Sequence, residues 1–340
     1  MPRVRLLLLC AGLGAALPLY AAEPLKVFST RPLDGDPLLV GFTQQTGIPI
    51  ETVRLSPDEF DRLVAAGEPP ADMLMTADSG AVRTLERAGL LQPIESKLVE
   101  SRVEEGLRDL DAGWSAYATR ARIIFANPSK LEALPASYEA LADPAYRGKV
   151  CLGPRGSAYT SSFAAMMVVN HGAEEAQRWA EGVVANFAQP PGARDSALLM
   201  ALADAEDPCA ITVANHYYYP RIMQGDDEEA RRALESLEAV FPNQQGEGSE
   251  GRGAYRNVNV YALVKGSQRV DDARLLLEYL ASDEAQRIVG EGVFYPVVEG
   301  VGPVAAEQMF GEWKIDDTSV LRYADAYDEA QAVLERAGWE

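Results

Sequence analysis

The run Ala214-Asn-His-Tyr-Tyr-Tyr-Pro-Arg221 places three phenols side by side, Tyr217, Tyr218 and Tyr219, directly after the apolar stretch 210–214. At the end of a strand, phenols leave the core and present oxygens to a cleft; within a strand, alternate side chains point to opposite faces. A phenol ionises at about pH 10, but a highly charged metal ion stabilises the phenolate, and ferric iron is the hard, oxygen-seeking cation that matches it. The same residues also suit an aromatic cluster packed between lobes or a shelf for a stacked sugar.

Tyr159 adds a fourth phenol of interest, because Gly156-Ser-Ala-Tyr159 precedes Thr160 at the expected start of a helix. Free backbone N–H groups near Ser157 and Thr160 would face an anion there. Arg31 follows the first expected strand, and Arg120 and Arg122 lie in an expected crossover between two units. Three phenolates neutralise a ferric ion, so a further dianion such as carbonate makes the cluster negative and gives a guanidinium a role as its clamp. Each arginine taken alone reads equally as a surface or hinge ion pair.

Other constellations are weak. His171 and His216 are the only histidines and lack zinc-site spacing. His171 reads as a helix-terminal residue and His216 as a neighbour of the ligands. Ser161 and Ser162 have no recognisable histidine–carboxylate partners, and no GxxxxGK[ST] phosphate loop is present. Asp34, Asp36 and Asp78 read either as cleft carboxylates or as helix-start residues. No nucleophile constellation suggests an enzyme.

The elements that must position these groups alternate between strand and helix. Strand-like runs at 25–29, 48–55 and 72–76 are separated by helical patterns at 36–45 and 60–66, and a third helix begins at Ser79. Ser56-Pro-Asp-Glu supplies an N-cap, a proline in the first turn and acidic residues after it. This order indicates a largely parallel, three-layer α/β lobe. A second unit starts near residue 127. It contains a short helix from Ser137, strands at 149–152 and 210–214, and helices at 160–170 and 173–187. The strand beginning at Asn257 returns to the first lobe. Helices close the chain, the last expected as one element with Leu321, Ala324, Tyr327, Asp328, Leu334 and Ala337 facing inward. Ligands bind beyond the carboxyl ends of such strands, which puts the site in a cleft between the lobes.

The first residues bound the compartment. Arg3 and Arg5 precede an uncharged apolar stretch, 6–19, and the small residues Ala21 and Ala22, the pattern of a cleaved signal peptide over 1–21. Cys10 leaves with it. Cys151 and Cys209 then meet an oxidising compartment, where a disulfide is expected, with two buried thiols as the alternative. The 340-residue chain carries 31 basic and 51 acidic residues, net −20; loss of Arg3 and Arg5 makes this −22. Such a surface repels nucleic acid and anionic membranes.

At these residues the chain resembles the periplasmic ferric-ion-binding proteins that serve ABC transporters. The resemblance is carried by Val27-Phe-Ser-Thr-Arg31, Pro70-Ala-Asp-Met-Leu-Met-Thr-Ala-Asp78, Gly89-Leu-Leu-Gln-Pro93, Thr119-Arg-Ala-Arg122, the segment 141–149, Ala214-Asn-His-Tyr-Tyr-Tyr-Pro-Arg221 and Phe241-Pro-Asn-Gln244. It implies a type II periplasmic-binding fold: two three-layer α/β lobes joined by crossover strands, with the ligand cleft between them. The expected division is a first lobe over 22–122 and 246–298 and a second over 123–245 and 299–340. The family likeness makes Tyr217 and Tyr218 the paired metal ligands and Tyr159 the third. Arg31 and Arg120, with Ser157 and Thr160, become the anion site, while Asp78, Arg122 and Asn215 are secondary candidates and Tyr219 a flank. It further implies Fe(III) with carbonate or another synergistic anion as cargo, an inner-membrane permease as partner, a periplasmic monomer and no catalysed reaction. The chain departs from the family at Pro32-Leu33, where many members carry histidine often followed by tyrosine, and at Ala77, where some carry glutamate. Those departures leave a second reading open, a receptor of the same fold for an anion, a metal chelate or a small organic solute.

Overall fold

The computed structural model describes residues 23–67, 69–302 and 304–340, so the expected signal peptide lies outside the described residues. Nine strands are present among them: β1 (Leu25–Ser29), β2 (Ile50–Arg54), β3 (Met73–Thr76), β4 (Arg108–Asp109), β5 (Trp114–Ala126), β6 (Ile211–Asn215), β7 (Glu238–Val240), β8 (Arg256–Leu263) and β9 (Tyr295–Pro296). β1 pairs in parallel with β2 and β3, and β8 runs antiparallel between β3 and β5. The first lobe's sheet therefore has the order β2-β1-β3-β8-β5-β4.

β5 joins the two lobes. Its first part, Trp114 to Ala121, pairs with β8; its last part, Arg122 to Ala126, pairs with β6 and β7 in the second sheet. The expected crossover holding Arg120 and Arg122 is thus one continuous strand shared by both sheets, and all 13 of its residues are buried. The alternating pattern of a half-exposed strand is absent because both faces are covered.

Local signals set most helix starts. Ser56 and Glu59 form a reciprocal capping box, with Ser56 Oγ accepting from Glu59 N–H at 3.3 Å and Glu59 Oε2 accepting from Ser56 N–H at 2.7 Å. Asp36 caps helix Pro37–Thr46 through the Leu38 N–H. One core, including Phe42, Trp114 and Tyr261, lies in the first lobe; a second, including Phe163, Trp179 and Trp339, lies in the other.

The C-terminal segment corrects the expectation of one helix. It is two, Val320–Asp325 and Tyr327–Arg336, meeting at Ala326. Asp328 does not face inward: its side chain is 91% exposed and lies 3.3 Å from Arg87. The 149–152 strand reduces to isolated bridges from Val150 to Phe187 and Ile211. His171 is more than a helix terminus, since its Nε2 sits 2.7 Å from Glu139 Oε1 in a cluster with Arg252 and Asn243. Burial alone would raise the Glu139 carboxyl, but His171, Arg252 and Asn243 together hold it well below the usual carboxylate range.

Cys151 and Cys209 are bridged, with Cα atoms 5.6 Å apart. The register brings them together: Cys151 N–H donates to Ile211 O at 2.9 Å, and Ala210 N–H to Lys149 O at 2.8 Å. Constraining the unfolded chain in this way contributes about 2–5 kcal/mol. A reducing agent is therefore expected to lower the melting temperature, and the untreated protein should weigh two hydrogens less than the reduced form. An unchanged melting temperature after verified reduction would contradict this.

Candidate functional site

β6 ends at Asn215 and the next helix starts at Tyr218, leaving only His216 and Tyr217 to make the turn. His216 is fully buried; its Nδ1 accepts from Ala121 N–H at 3.1 Å and its Nε2–H donates to Val293 O at 2.8 Å. Both ring nitrogens are thus engaged by backbone. Burial also pulls its pKa down to about 4, which keeps the ring neutral. His216 anchors the turn instead of offering a donor.

With that anchor, Tyr217 and Tyr218 pack with ring centroids 4.6 Å apart, and Asn215 Nδ2 donates to Tyr217 Oη at 3.3 Å. Tyr219 turns the other way, stacking on Phe125 at 6.1 Å and meeting Phe310 at 5.7 Å in the apolar core. Tyr159 reaches the same place from the first turn of helix Ala158–His171, which Ser157 caps by accepting the Tyr159 N–H at 3.3 Å. The Ser157 N–H donates to Pro154 O at 3.0 Å, and Thr160 is buried.

The phenols lie in a low-dielectric, cationic setting. Burial pushes Tyr159 up to about 12, an effect that Arg120 partly offsets and Tyr217 reinforces. Tyr217 is raised by burial and by the neighbouring Tyr218, and Tyr218 by burial. All three are therefore protonated at neutral pH.

The arginines separate into distinct roles. Arg122 is buried with Asp195, Nη1 to Oδ2 at 2.8 Å, and its Nη2 donates to Val213 O at 2.6 Å. Arg120 donates through Nη1 to Val258 O at 2.9 Å and to Asn259 Oδ1 at 2.8 Å, and through Nη2 to Ala77 O; its buried Nε has no partner. Both guanidinium carbons lie close to the Tyr159 ring centroid, at 5.5 and 5.3 Å. Asp78 is committed to structure: it accepts from Gly80 N–H at 2.8 Å, from Asn257 Nδ2 at 2.9 Å and from Tyr327 Oη. Its carboxylate caps helix Ser79–Arg87 and ties that helix to the C-terminal segment.

Arg31, Asp78, Arg120, Tyr159 and Tyr217 line one cleft of about 710 Å³, together with Arg221 and Phe294. Tyr218 adjoins it through Tyr217, whereas Arg122 and Asn215 lie buried behind the phenols. Arg221, Phe294, Asn259 and Asp195 went unassigned in the sequence reading. Arg221 had a local signal, since it lies four positions after Tyr217 and helical spacing stacks the pair at 4.4 Å. The other three arrive from distant segments. Among the described residues, no group of three or more His, Cys, Asp or Glu side chains gathers to hold a metal ion.

The model of the bacterial extracellular solute-binding protein family matches residues 68–310. Iron uptake protein A1 of Synechocystis is 33% identical over 323 residues, 94% of this chain and 88% of its own. A Trichodesmium protein solved in complex with iron and citrate superposes with a TM-score of 0.84 at 33% identity, covering 94% of this chain and 100% of that one. The apo ferric ion-binding protein A of Pasteurella haemolytica gives 0.83 at 31% identity, over 94% and 98% respectively.

Proposed function

The chain belongs to the bacterial extracellular solute-binding proteins, in the branch of the iron uptake and ferric-ion-binding proteins, and we propose that it binds ferric iron for import. Tyr159, Tyr217 and Tyr218 serve as phenolate ligands. The observation that carries this reading is the convergence of three phenols from two chain segments, Tyr217 buried and Tyr159 and Tyr218 half-buried, beside guanidinium groups at one interlobe cleft. Three phenolates balance the charge of Fe(III), and an oxygen anion such as carbonate completes the coordination that Pro32 and Leu33 cannot supply. Binding and release, with no chemical turnover, then deliver the ion from the periplasm to a membrane permease. Arg122, fixed by Asp195, and Asn215, bonded to Tyr217, hold the ligand rings in place.

Titrating the iron-free protein with ferric iron, with and without bicarbonate, tests the reading. A visible tyrosinate-to-iron absorption is expected, strengthened by the anion. A sample that stays colourless and loses all iron on desalting would reject ferric binding and favour a receptor for an organic solute.

A further inference from the structure

His216 and Val293 meet where the two lobes join. His216 lies in the turn after β6, a strand of the second sheet, whereas Val293 follows helix Asp283–Glu291, whose Ala285 and Val289 belong to the first lobe's core. The imidazole is fully buried and bonded on both sides. A carbonyl can only accept, so the 2.8 Å contact with Val293 O puts the ring proton on Nε2, and Nδ1 then accepts from Ala121 N–H at 3.1 Å. The backbone N–H of His216 also donates to Ala121 O, at 2.9 Å. Ala121 is the point at which β5 changes sheets: it is the last residue paired with β8, and Arg122 is the first paired with β6. One side chain therefore fastens the turn that carries Tyr217 to the crossover and to the first lobe.

Val293 has φ 69°, in the left-handed region that a β-branched residue strongly disfavours, and its side chain is buried. Among the described residues one other non-glycine residue has a positive φ, Asn243, and asparagine tolerates that region. A backbone strained in this way persists only where its surroundings hold it, and such residues cluster at binding sites. Here the holding contact is the His216 Nε2–H, and the next residue, Phe294, packs on the ring of Tyr217 at 5.2 Å.

We propose that His216 is a positioning residue for iron binding: its bond to the strained Val293 carbonyl locks Tyr217 against the first lobe, so that ligation and the setting of the two lobes are coupled. The role rests on the ferric reading above and adds to it a side chain that touches neither the ion nor its anion. Without the Nε2–H bond, the peptide at Val293 is free to relax. Phe294 then withdraws from Tyr217, whose ring gains freedom, and the ion is held less tightly.

Two replacements separate the two ring nitrogens. Glutamine carries an amide N–H close to the place of Nε2–H, and asparagine carries an oxygen close to the place of Nδ1. His216→Gln is therefore expected to keep the Val293 bond, and His216→Asn only the Ala121 bond. Ferric iron is loaded, the tyrosinate band is recorded, and release to a competing chelator is followed. His216→Asn is expected to shift or weaken the band and to lower ferric affinity about 10–100-fold, the range for a group that orients a ligand. His216→Gln should stay close to wild type. Val293→Gly relaxes the same peptide while leaving the imidazole intact, and carries the test if His216→Asn fails to fold. It is expected to weaken binding as well, and to add little in combination with His216→Asn, because both break one contact. Thermal melts of the iron-free proteins give stability separately. A lowered melting temperature with wild-type band and affinity would make His216 purely structural and overturn the role, as would equal impairment in His216→Gln and His216→Asn, or additive losses in the double variant. No tyrosinate band in the wild type would instead reject the ferric reading, and the role with it.

Discussion

Tyr217→Phe is expected to bleach the tyrosinate–iron band and to weaken ferric binding at least on the order of 100-fold. Loss of a group that merely orients a ligand costs about 10–100-fold in metal affinity, and loss of a phenolate ligand exceeds that. The substitution is clean because the ring remains. Its packing on Tyr218 at 4.6 Å, on Phe294 at 5.2 Å and under Arg221 at 4.4 Å is retained, and only the hydroxyl that accepts from Asn215 is removed. Tyr219→Phe is the matched control: that ring packs against Phe125 and Phe310, so colour and affinity should be unchanged. Visible absorption and competition against a chelator measure both. Wild-type colour and affinity in Tyr217→Phe would remove the metal site proposed here.

The second large effect is on pH. Tyr159, Tyr217 and Tyr218 all have proton affinities raised by burial, Tyr159 to about 12, so in the ion-free protein near neutrality each carries its proton. Binding as phenolate expels it. Protons and metal therefore compete, and the sign follows: affinity falls as the solution is acidified. Each proton released contributes a factor of ten per pH unit, up to about 1000-fold per unit for three phenols. A pH-stat counts the protons directly as ferric iron is added as a chelate. Hydrolysis of the iron and the anion's own protons contribute equally to wild type and variant, so the difference from Tyr217→Phe isolates the phenol. One proton fewer is expected in the variant; equal release from both proteins would show that Tyr217 does not ionise on binding.

The two effects share one physical origin. In the proposed site, burial keeps the phenols neutral without a cation, while the neighbouring guanidiniums would favour the ionised form once a trivalent ion offsets that cost. Arg120 and Arg122 next to Tyr159, and Arg221 over Tyr217, are placed for that second state. Arg120 and Arg122 are held by protein groups: Asp195 for Arg122, and Val258, Asn259 and Ala77 for Arg120.

Much of this architecture is encoded locally and was legible in the sequence. Alternating strand and helix patterns, the Ser56–Glu59 capping box and the Asp36 cap depend on residues within one turn of each other. The phenols at the end of β6 and the pairing of Cys151 with Cys209 followed from an apolar run ending in a turn and from the compartment implied by the first residues. Tertiary contacts decided what each polar group does there. Whether Asp78 offers a carboxylate to the cleft depends on Asn257 and Tyr327, which lie far along the chain and engage it as a structural acceptor. Arg120 and Arg122 occupy alternate positions of one strand and share a face, so spacing alone cannot tell them apart; Asn259 and Asp195, from other segments, give them different roles. Phe294 meets Tyr217 next to the Val293 backbone that His216, 77 positions away, holds. Backbone periodicity and capping are properties of neighbours in the chain, and one sequence suffices to read them. The engagement of a buried charge or amide is a property of neighbours in space, which the packing of the two lobes selects.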